Sequence, residues 1–531
     1  MSTQWKVTLR IGRIPDGYIA SAIAILAASI FFLSYEKVSP FEDAVILYDY
    51  AKNLATRGII TYGSGSSVPV EGATDFLYMV AIALISRLGL DEFGAALILN
   101  YLGVLLLCYL FHRSRLPVWL IVVAILGTPY LYSSLFGFSA IIFSAIYILC
   151  LYLQKRNDSR LYLAILALCL LRPDGVVWSS GLILARFLNV DRSAYHLEVR
   201  RLSVYFLVPG IAYFVWRLWY FKEWLPLPFL VKASGDRDLS DDIGNLLPVV
   251  IPIVVAVVTS DNILALAKRT LLLFTLPMLF YGSMRLEQNV GNRFIAPLFF
   301  GGLLVLRDAR PHYLVATFVM LSLYFNWNLT YDTFHELLNY KREAMHDVAF
   351  KISQLGPGRL LTTEAGILAY YSNWHVEDSW GLNTPRFAHR VINDDSISVG
   401  DYDLIAAHCV LSALTDKRSI GVGLSPQRSW DEQCRVLARY IWRFRYEVFL
   451  VPMGSIYDID TQSIPELSWL ESGYGIRFVC RSQVIFAVSP LYPQAEELKA
   501  ILLQEGGVPL DPSHHGYGGD AICSTNLPVA P

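Results

Sequence analysis

The chain has 531 residues, of which 54% are hydrophobic and 17% charged. Soluble domains carry about 25% charged residues, so this composition excludes an ordinary soluble enzyme and marks an integral membrane protein. The net charge of −2 gives no electrostatic case for a nucleic-acid partner.

Residues 1–17 are short and basic (Lys6, Arg10, Arg13), and the apolar run Tyr18–Tyr35 follows. No small-residue cleavage site ends that run, so it reads as a retained helix with the N-terminus in the cytoplasm. Further apolar segments lie near 93–111, 116–134, 138–153, 160–171, 175–188, 202–220, 243–259, 270–283, 294–306 and 312–326. With the first they make about eleven transmembrane helices. The basic connections His112–Arg115, Gln154–Arg160, Arg186 to Arg201, Lys268–Arg269 and Arg307–Arg310 then share the side of the N-terminus. The loop 36–92 faces the other side. One more apolar run, Phe76–Leu88, is too short to span, and counting it would invert every later loop. It is expected to dip into the outer leaflet.

The spans on either side of Arg172-Pro173-Asp174-Gly175 are short, so this turn is expected below the outer membrane surface. Two charges at that depth require a polar cavity around them. Residues 330–531 lack a membrane-length apolar run and mix short β-type runs (Tyr446–Val451, Ile476–Val479, Val484–Val488) with helical ones (Tyr340–Leu355, Asp431–Arg443, Gln494–Gln504). The expected architecture is therefore an α-helical polytopic membrane domain, 1–329, carrying the loop 36–92, and a C-terminal α/β domain, 330–531, on the outer face. Residues from Pro509 onward are Gly/Pro/His-rich and expected to be irregular. Cys108, Cys150 and Cys169 sit in apolar runs as small hydrophobes. Cys409, Cys434, Cys480 and Cys523 could form two disulfides or remain buried thiols.

The chemistry concentrates in Ser39–Tyr78, which holds Glu42, Asp43, Asp49, Glu71 and Asp75. Residues 44–56 have the pattern of an amphipathic interfacial helix that ends at Gly58. Its two acidic ends, Glu42/Asp43 and Glu71/Asp75, are expected to converge over one membrane-facing cavity. A carboxylate there can serve as general base toward a sugar hydroxyl. A single acid in such a loop is more often a solvated residue or a helix cap. Two acidic pairs at a span end favour the functional reading.

The ordered residues Glu42-Asp43, Tyr50-Ala51-Lys52-Asn53-Leu54, Gly58-Ile59-Ile60-Thr61-Tyr62 and Pro69-Val70-Glu71-Gly72-Ala73-Thr74-Asp75-Phe76-Leu77 resemble the first outer loop of GT-C glycosyltransferases. The pattern is most similar to the AftB-like terminal arabinofuranosyltransferases. Leu171-Arg172-Pro173-Asp174-Gly175, Leu225-Pro226-Leu227-Pro228-Phe229-Leu230-Val231-Lys232 and Gly291-Asn292-Arg293-Phe294 with Pro297 continue the resemblance. So do Thr363-Glu364-Ala365-Gly366, Tyr370-Tyr371-Ser372 and Asp378 with Gly381-Leu382-Asn383. Leu227 stands where the family has asparagine, and Glu364 where it has aspartate.

The resemblance implies an inverting transferase that uses a polyprenyl-phosphate sugar, with arabinofuranose one candidate. The acceptor would be a polysaccharide or glycolipid of the cell envelope, reached on the outer side of the plasma membrane. Asp43 is then the base and Glu42 its partner. Arg172, Lys232, Arg285 and Arg293 are candidates for the donor phosphate, with anchoring at the interface the competing reading, favoured for Arg285 but not for Lys232 or Arg293. Asp174 is expected to orient Arg172. Glu71, Asp75, Glu364, His375 and His389 are assigned to the substrate side, although a lone histidine is more often structural. No cofactor is called for. A divalent metal is not indicated: Asp401-Tyr402-Asp403 makes an Asp-x-Asp in the C-terminal domain, but a three-residue pattern carries little weight. A lipid or glycan flippase, or a non-catalytic envelope-assembly subunit, remains open as an alternative.

Overall fold

A computed structural model describes residues 16–232, 239–260, 263–282, 289–309, 312–339, 344–393, 395–407, 430–452 and 483–510. All eleven apolar segments form helices. Glu92–Arg113, Arg192–Phe221, Ile263–Tyr281 and Val290–Arg307 are long and apolar enough to cross a membrane. Val118–Leu126 and Pro129–Leu135 make a further span if read as one helix bent by 59°. The bend falls at Gly127-Thr128-Pro129, where Pro129 opens the second helix and cannot donate its amide to the first. Ala140–Lys155, Leu161–Leu171 and Gly175–Leu188 are shorter. Leu161–Leu171 and Gly175–Leu188 meet at the Arg172–Asp174 turn, where Arg172 is 3% and Asp174 9% exposed.

The run expected to dip into one leaflet is the helix Phe76–Ser86. It packs between Glu42–Arg57 and Glu92–Arg113. Arg87, which ends it, reaches back to the carbonyls of Ala55 (3.0 Å) and Leu54 (3.3 Å). These carbonyls belong to the last turn of Glu42–Arg57, which Gly58, at φ 72°, closes by donating its amide to the Leu54 carbonyl (3.2 Å). The loop is thus a closed unit.

The C-terminal part contains a mixed sheet of order β2-β1-β3-β5-β4-β6 among the described residues. Its strands are β1 (Arg359–Thr362), β2 (His375–Asp378), β3 (Leu404–Ala407), β4 (Glu447–Pro452), β5 (Gln483–Val488) and β6 (Val508–Leu510). β1 runs parallel to β2 and β3, whereas β5, β4 and β6 are joined antiparallel. β3 is buried along its whole length, as a strand covered on both faces must be. Ala344–Ile352, Trp430–Arg443 and Ala495–Gln504 match three expected helices with shifted ends. Ile476–Val479, Cys409, Cys480 and Cys523 lie outside the described residues. So does the side chain of Cys434. β6 includes Pro509 and Leu510, where an irregular tail was expected. The helix Trp327–Asn339 also continues past the last expected span and across the expected domain boundary.

The opening loop is the floor on which the sheet domain rests. Tyr62 donates to the Ala365 carbonyl (2.7 Å), and Lys52 to the Tyr370 carbonyl (2.9 Å). Tyr50 donates to Asn383 Oδ1 (3.0 Å) and receives the Gly72 amide (3.0 Å). Glycine is needed at 72, because a Cβ would lie 2.2 Å from Asn383 Oδ1 and 2.7 Å from the Leu382 carbonyl.

Candidate active site

Three segments bring charge to one place. The first is the start of Glu42–Arg57, whose Phe41 N-cap offers no side-chain cap. The helix dipole favours acids in this first turn, which accounts for Glu42 and Asp43 being tolerated there. The second is the turn after Leu171. The third is Val290–Ile295, where Gly291 (φ 59°) and Asn292 (φ 54°) are both left-handed. A Cβ at 291 would meet the Pro129 carbonyl at 2.9 Å, so glycine is required. Asn289 braces the kink, donating through Nδ2 to Asn292 Oδ1 (2.8 Å) and accepting the Asn292 amide on its carbonyl (2.8 Å). The kink presents Arg293 immediately before the next helix.

Arg293 lies over the Phe138 ring at 3.8 Å and the Phe294 ring at 4.8 Å. Arg172 lies over Phe294 at 4.7 Å and Phe143 at 4.6 Å. Two guanidinium groups therefore share one aromatic ring, each also stacked on a second. Asp174 holds Arg172 by a bidentate pair (3.0 and 2.7 Å). Tyr281 donates to Asp174 and accepts from Trp178 Nε1 (3.0 Å). This chain fixes the Arg172 head group within the helices. Asp43, Asp75 and Asp174 all lie in the field of Arg293. Asp75 accepts from Ser139 Oγ (2.7 Å) and feels both arginines. Burial pushes the Asp75 carboxyl above its ordinary range, with Arg172 acting against that.

Five sequence-selected residues are thus gathered: Asp43, Asp75, Arg172, Asp174 and Arg293. The others stand elsewhere. Glu42 accepts the amides of Gly366 and Ile367. Glu71 forms a buried ion pair with Arg217 at 2.5 Å, and its carbonyl accepts the Leu227 amide (3.0 Å). Burial pushes the Glu71 carboxyl up to about 6 despite Arg217. His389 pairs with Glu223 (2.9 Å). His375 packs under the turn at Gly65. Its imidazole pKa is lowered, burial being the first cause. Glu364 sits in the turn after β1, where its amide donates to Thr362 Oγ1 (2.9 Å). Arg285 and the Lys232 side chain lie outside the described residues.

Sequence reading missed Arg217, Tyr281, Ser139 and the three phenylalanines. Arg217 carried a usable signal, as a lone cation inside an apolar run. Among the described residues no group of three or more His, Cys, Asp or Glu side chains could hold a metal ion.

The chain has an ArnT-like GT-C fold. The structure of ArnT from Cupriavidus metallidurans bound to undecaprenyl phosphate superposes with a TM-score of 0.53 at 11% identity, over 78% of this chain and 97% of that one. Apo ArnT from the same organism gives 0.50 at 13% identity, over 78% and 96%. A domain of unknown function (DUF8728) matches residues 305–450. No curated protein matches the chain.

Proposed function

We propose that the protein is an inverting membrane glycosyltransferase that takes its sugar from a polyprenyl phosphate. The observation that carries this reading is the pair Arg172 and Arg293 on one phenylalanine, with Asp43 and Asp75 in their field. Two fixed cations suit the donor phosphate and the charge that develops on it as the glycosidic bond breaks. The aromatic rings suit the first isoprene units. The likeness to ArnT, solved with undecaprenyl phosphate, supports the same ligand class.

In the reaction, Asp43 takes the proton of an acceptor hydroxyl. That oxygen attacks the anomeric carbon, and the polyprenyl phosphate departs from the opposite face with the bonding electrons. The configuration inverts. Phosphate is already a good leaving group, so no separate acid is invoked. Asp75, tied to Ser139, balances the arginines when the phosphate is absent. The reaction needs no cofactor. Motif resemblance makes arabinofuranose the first sugar to test and an envelope glycan the first acceptor. The basic loops support a cytoplasmic N-terminus and an extracytoplasmic sheet domain in the plasma membrane.

The test is transfer by purified protein from a panel of polyprenyl-phosphate sugars to envelope glycans, with Asp43→Asn alongside. Wild type is expected to transfer one of them, and Asp43→Asn to lose about 10²-fold or more. An Asp43→Asn enzyme with the wild-type rate would refute the base. Cysteine labelling that finds residues 43 and 113 on the same side would refute the topology.

A further inference from the structure

The two acids that open the helix Glu42–Arg57 are neighbours in sequence but not in surroundings. Asp43 lies in the field of Arg293. Glu42 engages the sheet domain, its two oxygens accepting the Gly366 amide (2.5 Å) and the Ile367 amide (2.8 Å). Charge-assisted bonds of this kind are roughly twice as strong as neutral ones. The main chains also touch. A Cβ at Gly366 would lie 2.0 Å from the Glu42 carbonyl oxygen, so no other residue fits there without separating the two segments.

The turn Thr363–Gly366 leaves the C-terminal end of β1, the central strand of the three parallel ones. Thr363 is held to β3 through the Ala406 carbonyl (3.1 Å). The turn is therefore fixed to the rigid middle of the sheet. The first turn of Glu42–Arg57 is held on its other side by Phe41, whose amide donates to the Phe136 carbonyl (3.1 Å) and whose ring packs on Phe136 and Phe138. Glu42 joins this turn to the sheet.

We infer that Glu42 is a positioning residue: it fastens the first helical turn to the sheet domain and so fixes the direction in which Asp43 meets the acceptor hydroxyl. The inference rests on the reading of Asp43 as the base. A misplacement of about 1 Å in a reacting group can lower a rate about 10²-fold. Glutamine at 42 keeps one acceptor oxygen and alanine keeps none. Gly366→Ala forces the same contact apart from the other side and leaves both acids in place.

Two measurements on the full-length protein in micelles test this. Hydrogen exchange should quicken across 363–372 and 42–47 in Glu42→Ala and Gly366→Ala. With the donor sugar that wild type transfers, kcat should fall about 10²-fold in both and less in Glu42→Gln. The KM for the donor should stay within about twofold, because Glu42 lies outside the arginine cluster. Unchanged exchange in Glu42→Ala would overturn the clamp. Faster exchange with unchanged kcat would overturn the positioning role. So would Gly366→Ala at full rate beside an inactive Glu42→Gln, which would mark Glu42 as a group in direct contact with substrate. Failure of the base itself would read differently, as transfer by Asp43→Asn at the wild-type rate.

Discussion

Replacing Arg217 with methionine removes a guanidinium from a buried pair while keeping most of the side chain's bulk. The pair is tight, at 2.5 Å, with the two side chains 5% and 6% exposed. A stranded Glu71 would have little water to stabilise its charge, so it takes up a proton. That sets a ceiling on the electrostatic loss. A glutamate of ordinary pKa 4.5 must be protonated on folding. At about 1.4 kcal/mol per unit, this costs about 4 kcal/mol near pH 7.5 and about 1.4 kcal/mol near pH 5.5. The lost bond from Arg217 to the Trp224 carbonyl, 2.8 Å in the wild type, adds about 1 kcal/mol at either pH. The sign follows from the raised folded pKa: the protonated form is the folded one, so stability returns as the pH falls. Thermal unfolding in detergent at fixed scan rate, near pH 5.5 and 7.5, should show Arg217→Met far weaker at the higher pH. The double variant Glu71→Gln, Arg217→Met should recover most of the difference and lose the pH dependence. Equal destabilisation at both pH values, or a double variant no better than the single, would refute the reasoning.

Asp49 offers the opposite case. Its buried carboxylate accepts the Gly63 amide (2.7 Å), and burial pushes its pKa from 3.8 up to about 6, against the pull of Gly63, Lys52 and Arg57. Its contribution to stability is therefore full below about pH 4 and lost as the pH rises through about 6. Asp49→Asn keeps an oxygen for Gly63 and should stabilise the protein by about 2–3 kcal/mol near pH 7.5, with little change near pH 4; thermal unfolding across that range is the check. Gly72→Ala drives a methyl group into Asn383 and Tyr50, so it should cost about 1–3 kcal/mol and speed hydrogen exchange at 379–384. An unchanged exchange rate there would mean the loop and the sheet domain are not tied at that point.

Legibility followed the length of the signal. Apolar runs of membrane length were readable because lipid imposes one chemistry on every residue of a span. β1, β2 and β3 were not, since each has four residues and His375-Val376-Glu377-Asp378 carries no apolar alternation. In the site, Arg172, Asp174 and Arg293 stood out because charge is rare beside apolar runs. Phe138, Phe143 and Phe294 did not, because an aromatic side chain among apolar ones gives no hint of a cation above it. Glu42 and Glu71 were recognisable as unusual acids, but their partners lie 324 and 146 residues away. No local pattern encodes such a pairing.

The separation of Glu42 from Gly366 also sets a timetable. Ribosomes add about 5–20 residues per second, so the helix that begins at Glu42 waits roughly 15–65 s for the strand whose turn will hold it. During that interval the Glu42 carboxylate lacks the Gly366 and Ile367 amides, and the face that will meet the sheet domain is bare. A chain ending before residue 359 would stay in that state, with its apolar helices complete and Glu42 without the amides of the sheet. Maturation of the protein is therefore tied to synthesis of its last third, and until then a newborn chain leaves the loop 36–92 open to proteases and misassembly.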